Sequence, residues 1–301
     1  MPTITANGIA LYYEDHGPAD GDVILLIMGL GAQMTRWPVG FIELLTANGH
    51  RVVAYDNRDC GLSHRFDDLG PADMPGLYAS LMKGEKPNAP YLVSDMAADA
   101  VGLLDALDIK RAHVVGASMG GMIAQMVAAE HPERVLTLTS IMSTTGNPAV
   151  PPATAEASKR LTGVAPDPKA DLEAFLDYGM ASAKVIGSPG YPIADVEQRA
   201  QLLADYQRAF YPVGVSRQMA AIVASGDRRK ALATIAAPTV VIHGADDPLV
   251  QVQGGEDTAA TIPGAELHII PGMGHNLPRG LWKPVADLIE RATQKAGVGA
   301  A

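Results

Sequence analysis

The 301-residue sequence holds a single cysteine, Cys60. One thiol excludes an internal disulfide and a cysteine-based zinc site. Basic residues are scarce: 23 Lys and Arg stand against 33 Asp and Glu, for a net charge of −10. A chain this acidic is poorly suited to gripping a phosphate backbone, so nucleic acid is not an expected partner. Aromatic residues amount to 5%, against 13 Met, a balance that fits an adaptable apolar interior. No stretch approaches the roughly 18 apolar residues of a membrane span. The longest apolar run, Val23 to Met28, has only strand length. The opening Met1-Pro2-Thr3-Ile4 carries no basic start and no signal-length apolar run. These absences lead us to expect a soluble, cytoplasmic protein without a membrane partner.

What is present is an alternation. Strand-length apolar runs fall at Val23 to Met28, Arg51 to Tyr55, Ala112 to Gly116, Val135 to Ile141, Pro238 to His243 and Glu266 to Ile270. Several lack polar interruptions, as expected of strands buried on both faces. Ile4 to Thr5 and Ala10 to Glu14 read as an antiparallel edge pair. Helical spacing appears over Ser94 to Leu107, with Asp95, Asp99 and Asp105 expected mostly outside, and again over Gly121 to Glu130 and Trp282 to Ala292. Alternating strands and helices predict an α/β fold with a mainly parallel sheet flanked by helices.

Between residues 144 and 235 the strands stop. Helical patterns run from Ala153 to Leu161, Lys169 to Ala183, Ile193 to Phe210 and Val215 to Ser225. The expected organisation is a core of residues 1–143 and 236–301, with 144–235 inserted as a helical cap. The small-residue tail from Ala296 to Ala301 is expected to be disordered.

The third long strand runs into Gly116-Ala117-Ser118-Met119-Gly120 and then a helix. This is G-x-S-x-G in the strand–turn–helix setting that raises a serine hydroxyl above a sheet edge. The glycines let strand and helix approach closely. A serine nucleophile needs a base and an orienting acid, and in hydrolases with this elbow they follow in the order acid, histidine. Gly244-Ala245-Asp246-Asp247-Pro248 follows the fifth strand, and Gly272-Met273-Gly274-His275 the sixth. Both loops lie where open α/β sheets collect their ligands. Ser118, Asp247 and His275 are therefore the expected catalytic residues. Asp247 is preferred over Asp246 because Pro248 fixes its turn. Of the remaining seven histidines, His113, His243 and His268 lie within strands, His131 ends a helix, and His16, His50 and His64 lie in loops or turns that do not follow the acid loop.

Acyl transfer also needs donors for an oxyanion. The N–H of Met119 follows the nucleophile, and Gly29-Leu30-Gly31 follows the first long strand. The backbone amides of Leu30 and Met119 are the expected oxyanion hole. Tyr206 and Phe210, in the inserted segment, are candidate substrate contacts beside the plainer alternative of helix packing. Nothing in this set requires a metal or a cofactor.

These motifs resemble the α/β-hydrolase superfamily over nearly the whole chain. Asp56-Asn57-Arg58-Asp59-Cys60-Gly61-Leu62-Ser63 resembles its D-x-R-G-x-G-x-S loop, with Asp59 at the usual glycine. Gly244 to Pro248 resembles its acid loop, and Gly274-His275 its histidine loop. Met28-Gly29 stands where the family usually has His-Gly. Within the superfamily the sequence is most similar to aclacinomycin-methylesterase-like esterases. The resemblance implies a capped, cofactor-free serine hydrolase acting on a small-molecule carboxylic ester through an acyl-enzyme. Carbon–carbon bond hydrolases and perhydrolases share the triad and stay open as alternatives. A non-catalytic binding protein on this fold would be expected to lose a triad member, and this sequence loses none.

Overall fold

The computed structural model describes residues 2–297. Eight strands form one sheet: β1 (Thr3–Ala6), β2 (Ile9–His16), β3 (Val23–Ile27), β4 (Arg51–Tyr55), β5 (Ala112–Ala117), β6 (Val135–Ile141), β7 (Thr239–Gly244) and β8 (Glu266–Ile270). Their order is β1-β2-β4-β3-β5-β6-β7-β8. β1 and β2 pair antiparallel, β2 runs antiparallel to β4, and all later pairings are parallel. The helices are α1 (Val39–Ala47), α2 (Met74–Met82), α3 (Val93–Ala106), α4 (Met119–Glu130), α5 (Ala155–Thr162), α6 (Leu172–Ile186), α7 (Asp195–Arg208), α8 (Pro212–Ser225), α9 (Arg229–Leu232), α10 (Gln253–Thr261) and α11 (Arg279–Thr293). This is the α/β-hydrolase architecture.

The uninterrupted apolar strands serve two cores. In β3, Leu25 and Ile27 point to a layer built with α3 and α4, while Ile24 and Leu26 point to the opposite layer with α1 and α11. Successive strand side chains face opposite ways, so a sheet covered on both faces needs apolar residues at every position.

β3 leads outward to β4, whereas β5 lies on its other side. The chain thus reverses direction across the sheet between β3 and β5, and a crevice opens beyond their carboxyl ends. Ile27 pairs with Gly116, so the loop after β3 and the turn after β5 emerge side by side. From β6 to β7 the chain runs through α5 to α9 without a strand. Asp73, Thr154 and Asp171 cap α2, α5 and α6 by accepting from amides of the first turn.

Several local expectations need correction. The helix after the elbow begins at Met119, not Gly121, and the last long helix begins at Arg279. Asp99 does not face solvent; it is buried against Arg58 Nε and Nη2 at 2.6 and 2.7 Å. A buried cation recruited this carboxylate inward, which side-chain periodicity cannot register. His16 ends β2 rather than lying in a loop. Ala296 lies in a short 3₁₀ turn, Gln294–Gly297; the rest of the tail expected to be disordered, from residue 298 on, lies outside the described residues.

Candidate active site

Ser118 sits between β5 and α4 with φ 57° and ψ −122°. A non-glycine residue at positive φ is strained, and the surroundings must hold it there. They do so from three sides. The Ser118 N–H donates to Ile141 O at 2.9 Å, and its carbonyl accepts from Ser143 Oγ at 2.8 Å. The third constraint is steric. A Cβ on Gly116 would lie 2.0 Å from Gly120 O, and one on Gly120 would lie 2.0 Å from Ile27 O. Only glycine at both positions lets α4 start this close to the sheet.

His275, after β8, reaches the serine: its Nε2 lies 2.9 Å from Ser118 Oγ. Its Nδ1 lies 2.7 Å from Asp247 Oδ2. A carboxylate only accepts, so Nδ1 carries the proton and Nε2 is left to accept from the serine hydroxyl. Asp247 is buried, and its Oδ1 accepts from the amides of Leu249 and Val250, both at 2.9 Å. Asp246 points elsewhere, taking the Gly272 N–H at 2.8 Å. The structure therefore joins Ser118, His275 and Asp247 in one hydrogen-bond chain and leaves Asp246 out of it.

Beneath the acid lies His243, which the strand pattern reads as ordinary interior. Its Nε2 donates to Val250 O at 2.7 Å and lies 3.7 Å from Asp247 Oδ2. Burial pushes its pKa down, so the ring is neutral and ties down the acid loop. Cys60 also borders the site, but burial and Asp56 push its thiol up, which disfavours the thiolate a nucleophile needs.

Met119 opens α4, so its N–H belongs to the first-turn donors that have no intrahelical partner. Gly29 packs on Ser118: a Cβ there would stand 3.0 Å from Ser118 Cβ. Leu30, next along, is half-buried. Gly29 and Met119 thus flank Ser118 from two sides.

Above these groups is a cavity of about 770 Å³ whose walls include Ser118, His275, Leu30, Met219, Tyr206 and Phe210. Phe175, Tyr206 and Phe210 form an aromatic trio with ring centroids 5.4 to 5.6 Å apart. Near the cavity Arg36 pairs with Asp205 at 2.5 Å and Arg208 with Asp56 at 2.8 Å, while Arg279 in its wall lies over the Trp282 ring, 5.9 Å from its centroid. Among the described residues, no group of three or more His, Cys, Asp or Glu is placed to hold a metal ion, and no helix is long and apolar enough to cross a membrane.

Sequence patterning does not single out the residues that lock the β6–β7 segment onto the core. Arg217 of α8 is fully buried and grips both oxygens of Asp59 at 2.8 and 2.6 Å. Asp59 also accepts from Tyr91 OH at 2.7 Å and Phe66 N at 2.9 Å. It has φ 61°, which explains why glycine is usual at this position. An acid in a glycine's place was the available signal; its partner lies 158 residues away.

Residues 22–169 match the family model of the alpha/beta hydrolase fold. Over 318 aligned residues the chain is 31% identical to rhodomycin D methylesterase of Streptomyces sp. (strain C5), covering 99% of this chain and 100% of that one. The chain belongs to the α/β-hydrolase family. This α/β-hydrolase is also 30% identical, over 89% of its length and 84% of the relative's, to a 2-hydroxy-6-oxononadienedioate/2-hydroxy-6-oxononatrienedioate hydrolase of Paraburkholderia xenovorans (strain LB400). Its fold matches a meta-cleavage product hydrolase from Pseudomonas fluorescens IP01 with TM-score 0.76 at 22% identity, over 98% of both chains.

Proposed function

We propose that this chain is a carboxylic ester hydrolase working through Ser118, His275 and Asp247. The observation that carries the reading is the unbroken sequence of contacts from Ser118 Oγ through His275 to Asp247 Oδ2. Ser118 Oγ attacks the ester carbonyl as His275 Nε2 takes its proton. The carbonyl π pair moves to oxygen, where the amides of Leu30 and Met119 receive it. Collapse of this intermediate breaks the bond to the alcohol oxygen, which leaves with the proton from His275. Water then repeats the steps on the acyl-enzyme, releasing the acid and restoring Ser118. Asp247 holds the imidazole in the tautomer required and stabilises its protonated form.

Residues 144–235 act as a cap on a core of residues 1–143 and 236–301. Tyr206 and Phe210 contact the substrate's apolar part. The methylesterase likeness extends end to end, whereas the dienedioate hydrolase likeness covers less of both chains. The aromatic and aliphatic side chains in the cavity's walls favour an ester with an apolar acyl or alcohol group.

The test is Ser118→Ala, assayed on p-nitrophenyl esters of rising chain length with circular dichroism alongside. Turnover is expected to vanish while the fold persists. Near wild-type activity in a folded variant would overturn the mechanism.

A further inference from the structure

Gln218 of α8 is completely buried, yet its side chain belongs to neither core. It bridges two loops of the sheet's carboxyl edge. Its Oε1 accepts the Gly31 N–H at 2.8 Å, and its Nε2 donates to Arg58 O at 2.7 Å. These partners permit one orientation of the amide only, since Gly31 N–H can only donate and Arg58 O can only accept.

The Gly31 contact falls at a sensitive place. Ala32 N–H donates to Gly29 O at 3.2 Å, which closes residues 29–32 as a β-turn. Gly31 has φ 63°, and Leu30 is not among the residues with positive φ. That combination is the type II turn. Types I and II differ by a flip of the central peptide, here the one joining Leu30 to Gly31. The N–H of that peptide is the one Gln218 accepts.

We propose that Gln218 is a positioning residue for ester hydrolysis. It holds the Leu30–Gly31 peptide against α8, and so keeps the Gly29–Ala32 turn, whose first peptide carries the Leu30 N–H, seated beside Ser118. The proposal rests on the reading of Leu30 as an oxyanion donor given above. Three further contacts make α8 a rigid brace at this point. A Cβ on Gly31 would lie 2.9 Å from Val215 Cγ2, and a Cβ on Gly214 would lie 2.1 Å from Asp59 O. The neighbouring Arg217 is held by both oxygens of Asp59. The brace therefore cannot swing away without opening a buried ion pair.

Gln218→Met keeps the side chain's length and removes both hydrogen bonds. Gln218→Leu, close to glutamine in volume, likewise leaves the Gly31 N–H without its acceptor. Losing one oxyanion donor outright costs about 10²–10³ in kcat, so a misaimed donor should cost about tenfold or more, with KM within roughly threefold. An aryl trifluoromethyl ketone adds Ser118 Oγ to its carbonyl carbon and places an oxyanion in the hole. Its affinity should fall by the same factor as kcat/KM, because it reports the same donors. A role confined to holding the fold together would move the melting temperature and leave kcat and ketone affinity alone in a folded variant.

If Gln218→Met does not fold, Gln218→Leu, which likewise leaves the Gly31 N–H without its acceptor, decides. A folded variant with kcat within about twofold of wild type, or a loss confined to KM, would overturn the proposal. Turnover persisting in Ser118→Ala would instead remove the active-site reading, whatever the Gln218 variants do.

Discussion

Asp246 and Asp247 are neighbours of one chemical type with different surroundings. Asp247 is buried, takes two backbone amides on one oxygen and meets His275 with the other. Asp246 is exposed and accepts a single loop amide. Asp247→Asn should therefore present the wrong partner to Nδ1, favour the wrong tautomer and reduce kcat by about 10⁴. Asp246→Asn should reduce it far less, because a neutral amide oxygen still accepts the Gly272 N–H. Parallel kinetics of the two variants checks this, and a larger effect at Asp246 would reverse the assignment. At this scale the sequence is highly legible, because Pro248 and the glycines act on backbone angles within a few bonds. Asp59 shows the limit: its departure from glycine is visible in the sequence, but not the cation it holds.

Elements acquire their properties from what they are pressed against. α8 carries Arg217 into a wholly buried contact with Asp59. Removing one partner leaves the other charge stranded, which costs about 3–5 kcal/mol. Arg217→Met should show this as a lower denaturant midpoint, and Asp59→Asn combined with it should recover part of the loss. β5 offers a pH test. Burial, reinforced by His50, lowers the His113 pKa to about 4. The unfolded chain titrates near 6.5 and thus binds more protons than the native state between these values. Stability from this group is complete above pH 6.5 and is lost as pH falls toward 4. His243 in β7 is lowered too, again by burial, and adds in the same direction. Melting temperatures should fall through that window, and His113→Asn should flatten the dependence.

Over the whole molecule, the β6–β7 segment does two kinds of work. Its aromatic trio lines the cavity. Its backbone and small polar side chains also hold site loops: His275 N–H donates to Ile186 O at 2.7 Å, Gly274 N–H to Ser188 Oγ at 2.9 Å, and Gly31 N–H to Gln218. The segment thus braces the loops around Ser118 as well as lining the cavity. Selection should reside in the aromatic trio. Each buried substrate CH₂ contributes up to ~0.8 kcal/mol, or about fourfold. Phe210→Ala should therefore lower kcat/KM for long-chain esters more than for acetate esters, read from a chain-length series. An equal loss across the series would place Phe210 in the support of the machinery instead.

The sequence by itself determined the α/β class, the parallel strands and the elbow serine. Each of these is written in contiguous residues: apolar runs of strand length, helical periods, and glycines flanking Ser118 where a Cβ would strike backbone 2.0 Å away. It also named the acid and histidine loops, because strand ends are local features and the sheet carries them to one edge. Only the tertiary structure decided which partners lie buried between the β6–β7 segment and the strand-end loops. Arg217 meets Asp59 across 158 residues, and Gln218 meets Gly31 across 187. Such pairs arise when packing removes water from polar groups and each must find whatever donor or acceptor the fold has brought within 3 Å. That demand depends on the assembled neighbourhood, and no periodicity along the chain encodes it.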